Sequence, residues 1–461
     1  MIRELRLLSV TSVVLLFSDA FLDRMRILVH EFVSGGGLAG REVPASLGRE
    51  GSAMLNALVA DLAATGCHEL VTTTDPRFPL AAPPGVQVVT LATRSAALLD
   101  ALIESADAVW LVAPETDRCL ERLAVRAERK GKMLVGSGAA AIRRASDKAG
   151  LPSRLARHSV PHPKTFVLRQ GSNWRTAARE VGYPIVVKPT RGAGCNGVCL
   201  ARDARELHHA VDMAREGNRR GQLLLQRYVP GVAISVSLLA DGDRAVALAV
   251  NAQFVRSSQA PQRGGRAAVP WLRFCYQGGK TPLDHPLAER AVETALCACR
   301  AIQGLRGYIG VDMVLTESEA VVIEVNPRLT TAYLGVRAAL DENVAALALA
   351  ACAGALPTRP PARRRVRFTA AGRIVSTAPY SPGQQPRSSP PGKGPQSNKR
   401  SETSACGPRE CEGTSEASGG GAPRAVIDDP REARPGVGTP EQSAERGDGP
   451  PRSKTGGGTP E

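Results

Sequence analysis

Aromatic side chains make up only 4% of the 461 residues, which leaves little material for the stacking platforms that hold single-stranded nucleic acid. The formal charge of +15 would otherwise favour such a partner, because a basic face collects phosphates and releases counterions. The arginines are spread along the chain, however, and their one dense cluster, Arg363, Arg364, Arg365 and Arg367, stands at the head of the tail. No nucleic-acid partner is expected. The ten cysteines lack metal-ligand spacing, which argues for reduced thiols in a cytoplasmic setting rather than a disulfide framework. Long apolar runs are also missing. Leu7 to Phe17 follows Arg3 and Arg6 as a signal peptide would, but no small-residue cleavage site comes after it and it is too short to span a bilayer. Residues 1–24 are therefore read as an extension ahead of Met25, and no membrane partner is expected. The chain also has no Ser-His-Asp or Cys-His signature, and no Gly-Lys-Ser/Thr follows the glycines after Lys188.

What is present divides into three parts. Residues 25–144 alternate short apolar runs (Arg26 to Val33, Glu69 to Thr73, Val86 to Leu91, Ala108 to Val112, Met133 to Val135) with helical stretches. That rhythm predicts an α/β domain with an open parallel sheet. A helix is expected from about Gly51 to Thr65. Residues 145–358 carry Pro-marked turns, a glycine-rich loop and β-rich segments, which predicts an α+β domain. From Arg359 to the end, Pro, Gly, Ser and Arg dominate, and such a tail is expected to be disordered because it cannot bury enough apolar surface to offset its ordering entropy.

Three stretches carry candidate chemistry. Gly35 to Gly40 fits the G-x-G-x-x-G spacing after a strand, but the next segment, Arg41 to Gly51, contains Pro44 and two further glycines, and no acid follows at the distance a ribose would need. A substrate-facing or structural turn is expected there. His30, just before it, is placed facing the domain cleft. In the second stretch, the strand Ile185 to Val187 delivers Lys188 into a loop holding Gly192, Gly194 and Gly197. Backbone N–H groups of such a loop can close on phosphate oxygens while the lysine supplies a point charge; taken alone, the stretch also fits a glycine-rich hairpin. In the third, Asp312 sits in one apolar strand, and Glu324 and Asn326 share a face of the next. Hard oxygen ligands of this kind suit Mg2+, or Mn2+, although a buried ion pair would give the same pattern. Arg328 lies two residues on, where its planar fork suits charge developing on a transferring phosphoryl group. Thr330 and Thr331 fit a substrate contact and a turn cap equally well.

The order Asp147-Lys148, Lys188 with its glycine loop, Gln226-Arg227-Tyr228-Val229-Pro230-Gly231, Asp312, and Glu324-Val325-Asn326-Pro327-Arg328 resembles the ATP-grasp superfamily from Arg26 to Pro357. The resemblance implies an ATP-grasp fold preceded by a pre-ATP-grasp parallel-sheet domain, with ATP and Mg2+ as cofactors. Lys148 and Lys188 would contact phosphates, the strand carrying Gln226, Tyr228 and Val229 would line the adenine pocket, and Asp312, Glu324 and Asn326 would hold the metal. Arg328 and Lys188 would be the catalytic pair. A narrower likeness, in ILVHEFVSGGG, Val160 to Thr165, GYIGVDMVL and Asn326 to Tyr333, is to the ligases of methanofuran-type cofactor synthesis that couple tyramine to L-glutamate. It implies small-molecule carboxylate and amine substrates and admits a homodimer. Another amino-acid or dipeptide ligase and a non-catalytic ATP-binding module remain alternatives. Arg227, Val232 and Ala233 stand where many members carry acids, which leaves the ribose contact unassigned.

Overall fold

The computed structural model describes residues 24–169, 171–190, 197–216, 222–259 and 272–380. The first part runs β1 (Arg26–Glu31), α1 (Ala45–Ala63), β2 (Glu69–Thr74), β3 (Gln87–Thr90), α2 (Ala96–Ser105), β4 (Ala108–Val112), α3 (Cys119–Arg129) and β5 (Met133–Leu134). Its five strands form a parallel sheet in the order β3-β2-β1-β4-β5. Strands covered by helices on both faces are apolar along their whole length. Thus Ile27, Val29, Trp110 and Val112 pack with Leu55, Leu58 and Leu62 of α1, while Leu28, Val109 and Leu111 pack with Ile103 of α2 and Leu120 and Ala124 of α3. The order reverses at β1 and β4, which opens a crevice beyond their carboxyl ends.

Helix α1 begins at Ala45, six residues before the expected Gly51, so a helix N-terminus does follow the glycine loop closely. Gly51 reads as a breaker, but it is required inside the helix: a Cβ there would lie 2.5 Å from Glu31 Oε2.

The second part runs α4 (Ala139–Ser146), α5 (Leu151–Arg157), β6 (Thr165–Leu168), α6 (Trp174–Val181), β7 (Ile185–Pro189), β8 (Cys199–Ala201), α7 (Ala204–Glu216), β9 (Leu223–Arg227), β10 (Val232–Asp241), β11 (Ala245–Gln259) and β12 (Leu272–Thr281). It continues through α8 (Ala288–Arg300), β13 (Arg306–Leu315), β14 (Ala320–Asn326), α9 (Tyr333–Ala339), α10 (Val344–Cys352), β15 (Arg364–Thr369) and β16 (Ile374–Pro379). An antiparallel path β14-β13-β10-β11-β12-β8-β7-β9-β6 organises it, with β15 on β12 and β16 on β15. Two apolar layers support this sheet. One joins β10, β13 and β14 to α8, and a smaller one joins β7, β8 and β9 to α6 and α7. The parallel sheet packs against the second part through Tyr333, Val336, Val344 and Ala348, which share a core with Leu55, Leu58 and Leu62. Asp61 of α1 accepts from the Tyr333 hydroxyl and, at 2.7 Å, from Arg337 Nε.

The disorder expected from Arg359 onward does not hold for Arg364–Thr369 and Ile374–Pro379, because β15 and β16 form a hairpin on β12. Val366 and Phe368 are buried while Arg367 between them is exposed, the alternation of a half-buried strand. Phe368 fits because its neighbours lack side chains: a Cβ on Gly335 would sit 2.4 Å from its ring, and Gly278, at φ +122°, has no room for one beside the Phe368 carbonyl. Phe368→Ala should therefore cost about 3–4 kcal/mol in urea unfolding; a cost under about 1 kcal/mol would contradict this packing. Residues 1–23 and 381–461 lie outside the described residues. Among those described, no helix is long and apolar enough to cross a membrane, and Cys67, Cys119, Cys275, Cys297, Cys299 and Cys352 are free thiols.

Candidate active site

The pairing of β13 with β14 sets Asp312 directly opposite Glu324 and Gly310 opposite Asn326, with a bulge after Asp312. Gly310 packs against Thr330, and Glu324 and Asn326, two residues apart, share a face, with Asn326 turned toward Asp312. Its Nδ2 donates to Asp312 Oδ2 at 2.9 Å, and Gln253 Nε2 of β11 donates to the other carboxylate oxygen at 2.8 Å. Burial and the charge of Glu324 push the pKa of Asp312 well up. Burial alone would raise Glu324 as well, but the charges of Lys148 and Lys188 hold it well below the usual carboxylate range. Two facing carboxylates in a poorly hydrated cleft cannot both ionise cheaply unless cations stand beside them.

The nearest cations are the expected lysines. Lys148 Nζ reaches Glu324 Oε2 at 2.7 Å across 176 positions of sequence. Burial opposes its charge, but Glu324 outweighs burial and raises its pKa. Lys188, in β7, is only 6% exposed, and its ammonium forms no hydrogen bond or ion pair among the described residues. Burial first, then the like charge of Lys148, lower its pKa to about 8, against the pull of Glu324 and Asp312. The sheet thus brings Lys148, Lys188, Asp312, Glu324 and Asn326 around one point.

Behind Lys188, β7 pairs with β9, and Gln226 Nε2 donates to Thr165 Oγ1 at 2.9 Å. The Tyr228 amide donates to Pro184 O at 2.9 Å, and Tyr228 and Val229, just past the end of β9, are half-buried. Arg227 donates to the Tyr183 carbonyl, so the arginine that replaces an expected acid holds backbone. Gly192 and Gly194 lie outside the described residues; Gly197 is at φ +73° next to Pro189.

Arg328 reaches the parallel sheet. Its Nε and NH2 groups donate to the two oxygens of Glu115 at 2.7 and 2.9 Å, and NH1 donates to Leu329 O at 3.0 Å. Thr331 donates to Glu50, and Thr330 lies against Gly310, so both threonines contact protein groups. Glu115, Glu50 and Gln253 carried no sequence signal, because each is a lone polar residue whose partner is distant in the chain.

The glycine loop is packed against protein. Gly35 abuts Thr73 and Gly36 abuts Leu91, while Arg77 donates to Leu38 O and Arg41 O. This favours the structural turn. Glu31 accepts from the Ser34 amide and hydroxyl at 2.5 and 2.6 Å. His30 is enclosed rather than lining the cleft, with Nδ1 2.7 Å from Thr73 Oγ1 and Nε2 buried without a partner among the described residues. Burial, then the charge of Arg126, lowers its pKa from 6.5 to about 4. Between those values the unfolded chain binds the extra proton, so the stability present above pH 6.5 is lost as pH falls toward 4, by about 3 kcal/mol at most. Urea titrations at pH 7.5 and 4.5 should show wild type losing more stability than His30→Gln; equal losses would contradict the assignment.

Comparison with known proteins agrees with this geometry. Residues 145–332 match the ATP-grasp domain model, and residues 68–142 match the pre-ATP-grasp 3 domain model. The chain belongs to the ATP-grasp superfamily. Its second part is the ATP-grasp domain, and the parallel sheet is the pre-ATP-grasp domain before it. The tyramine–L-glutamate ligase of Methanocaldococcus fervens is 27% identical over 234 residues, 51% of this chain and 62% of the relative. That of Methanocaldococcus jannaschii is 31% identical over 114 residues, 25% of this chain and 32% of the relative. The chain thus spans less than two thirds of the length of these ligases. Among solved structures, an ATP-grasp superfamily protein from Archaeoglobus fulgidus superposes with a TM-score of 0.52 at 25% identity, covering 74% of this chain and 92% of that one.

Proposed function

We propose that this ATP-grasp protein is a Mg2+-dependent ligase that activates a carboxylate with ATP and joins it to an amine, with L-glutamate and tyramine as the pair. The observation that carries the reading is the convergence of Lys148, Lys188, Asp312, Glu324 and Asn326, with Arg328 within electrostatic reach of Glu324. The identity of the acid and the amine rests on the tyramine–L-glutamate ligases that the chain matches over part of their length.

Two facing carboxylates and an amide oxygen form a hard donor set, and the raised pKa of Asp312 reflects burial first and then the repulsion from Glu324 that a divalent ion relieves. Asp312, Glu324 and Asn326 would hold Mg2+, or Mn2+ in its place, which would neutralise charge on the phosphate oxygens. Lys148 and Lys188 would hold the triphosphate together with the loop that carries Gly192, Gly194 and Gly197. Gln226, Tyr228 and Val229 would line the adenine pocket. The substrate carboxylate attacks the γ-phosphorus of ATP and ADP departs. The amine nitrogen then attacks the acyl carbon of the acylphosphate, loses a proton and expels phosphate. No protein nucleophile is needed, so the residues act by position and charge. Free thiols and the small-molecule substrates suit a cytoplasmic setting.

Phosphate release with Mg2+ and ATP tests the reading, using L-glutamate and tyramine together, each alone, and a panel of other amino acids. Phosphate should appear in step with amide only when both are present. Turnover with an unrelated pair would overturn the substrates; no ATP consumption with any acid and amine would overturn the ligase.

A further inference from the structure

We propose that Glu115 is a positioning residue, which fixes the Arg328 guanidinium so that its uncommitted N–H bonds face the reacting phosphoryl group. The inference rests on the ligase reading above and extends it to a residue of the pre-ATP-grasp domain. Glu115 lies on the segment that follows β4, at the crevice where the sheet order reverses, and is 7% exposed. It grips Nε and NH2 of Arg328 in a parallel, two-bond arrangement, and Leu329 O takes one N–H from NH1. A guanidinium has five N–H bonds. Among the described residues three are committed, so one on each terminal nitrogen remains, on a cation whose rotation Glu115 has removed and whose field reaches Glu324.

Two further observations favour positioning over a plain tie between domains. The seam between the two parts already has independent ties in Asp61 with Tyr333 and Arg337, and in Glu50 with Thr331. A buried ion pair also adds little stability over apolar packing, because both ions lose water. The turn after Glu115 is strained as well: Asp117 and Arg118, neither of them glycine, lie at φ +53° and +57°. Such backbone persists where its surroundings over-determine it, and it clusters at functional sites. Here the Arg118 guanidinium is clamped by Glu121, which Arg143 of α4 also holds at 2.6 Å. The Arg118 amide in turn donates to Glu115 O at 3.1 Å. The loop is thus braced at the residue that grips Arg328.

The test uses the full chain with Mg2+ and ATP, and compares wild type with Glu115→Gln, Glu115→Asp, Arg328→Lys and Glu115→Gln/Arg328→Lys. Glu115→Gln should lower kcat roughly 30- to 100-fold, with the KM for ATP and the calorimetric Kd for Mg-ADP within about twofold of wild type. Glu115→Asp should recover part of the rate, and the double variant should be no slower than Arg328→Lys alone. A second readout needs no turnover: in 15N-labelled protein the Arg328 Nε–H, identified by its loss in Arg328→Lys, should exchange slowly in wild type and rapidly in Glu115→Gln. Wild-type kcat in Glu115→Gln, losses that multiply in the double variant, or an Nε–H that Glu115→Gln leaves unchanged would overturn the positioning role. If wild type consumes no ATP while the Nε–H behaves as expected, the ligase reading fails and the grip of Glu115 on Arg328 stands.

Discussion

Glu324→Gln should lower kcat/KM for ATP by a factor of about a thousand or more, equivalent to roughly 4 kcal/mol of transition-state stabilisation. The substitution keeps size and one oxygen but removes the charge on which two lysines and the proposed cation all bear. Glu324 is held well below the usual carboxylate range by Lys148 and Lys188, so it is the ionised member of the facing pair, while Asp312 opposite is pushed up. Deleting the ionised member removes more of the metal's binding field than deleting its partner, because Asp312 already resists ionisation. Titration with Mg2+ checks this. The variant should need far more Mg2+ for half-maximal turnover, and excess Mg2+ should restore only part of the rate. A wild-type Mg2+ profile would contradict the role. Lys148 loses its 2.7 Å partner in the same variant, so a modest fall in unfolding free energy accompanies the loss of activity.

Lys188→Met should move stability and activity in opposite directions. The folded state lowers the pKa of Lys188 from 10.5 to about 8 through burial and the nearby charge of Lys148. Below pH 8 the ammonium is charged in both states but less favourably placed in the folded one. That costs the protein up to about 3 kcal/mol at pH 7, and the cost disappears as pH rises from 8 to 10.5. Methionine fills similar space without the charge, so the nucleotide-free variant should melt at a higher temperature than wild type at pH 7, with the gap closing toward pH 10.5. Turnover should fall at least about a hundredfold, since a phosphate contact made in a water-poor site is lost, and the thermal stabilisation that Mg-ATP gives wild type should shrink with it. A variant that is both less stable at pH 7 and fully active would contradict the reading of Lys188 as a strained phosphate ligand.

Much of this was legible where a residue's neighbours in sequence are also its neighbours in space. The apolar runs of β1 and β4 predict a parallel sheet with two covered faces, and alternation along β14 places Glu324 and Asn326 on one side before any pairing is known. The convergence of Lys148 and Lys188 on Glu324 followed from motif order, because order fixes which strands meet in a shared fold. Other features were hidden for identifiable reasons. Composition outweighed periodicity in Arg364–Thr369, where outward arginines alternate with buried Val366 and Phe368. Gly48 and Gly51 looked like breakers, since nothing local shows that Phe78 and Glu31 approach α1 there. Glu115 grips Arg328 across 213 positions, a separation over which a single acid after a strand carries no signal.

The most direct test is a crystal structure of the full chain with Mg2+ and a non-hydrolysable ATP analogue. The metal should lie about 2.1 Å from oxygens of Asp312, Glu324 and Asn326, with Lys148 released from Glu324 and, together with Lys188, within hydrogen-bonding distance of phosphate oxygens. A nucleotide bound elsewhere, or a triphosphate whose metal touches none of those three side chains, would contradict the account.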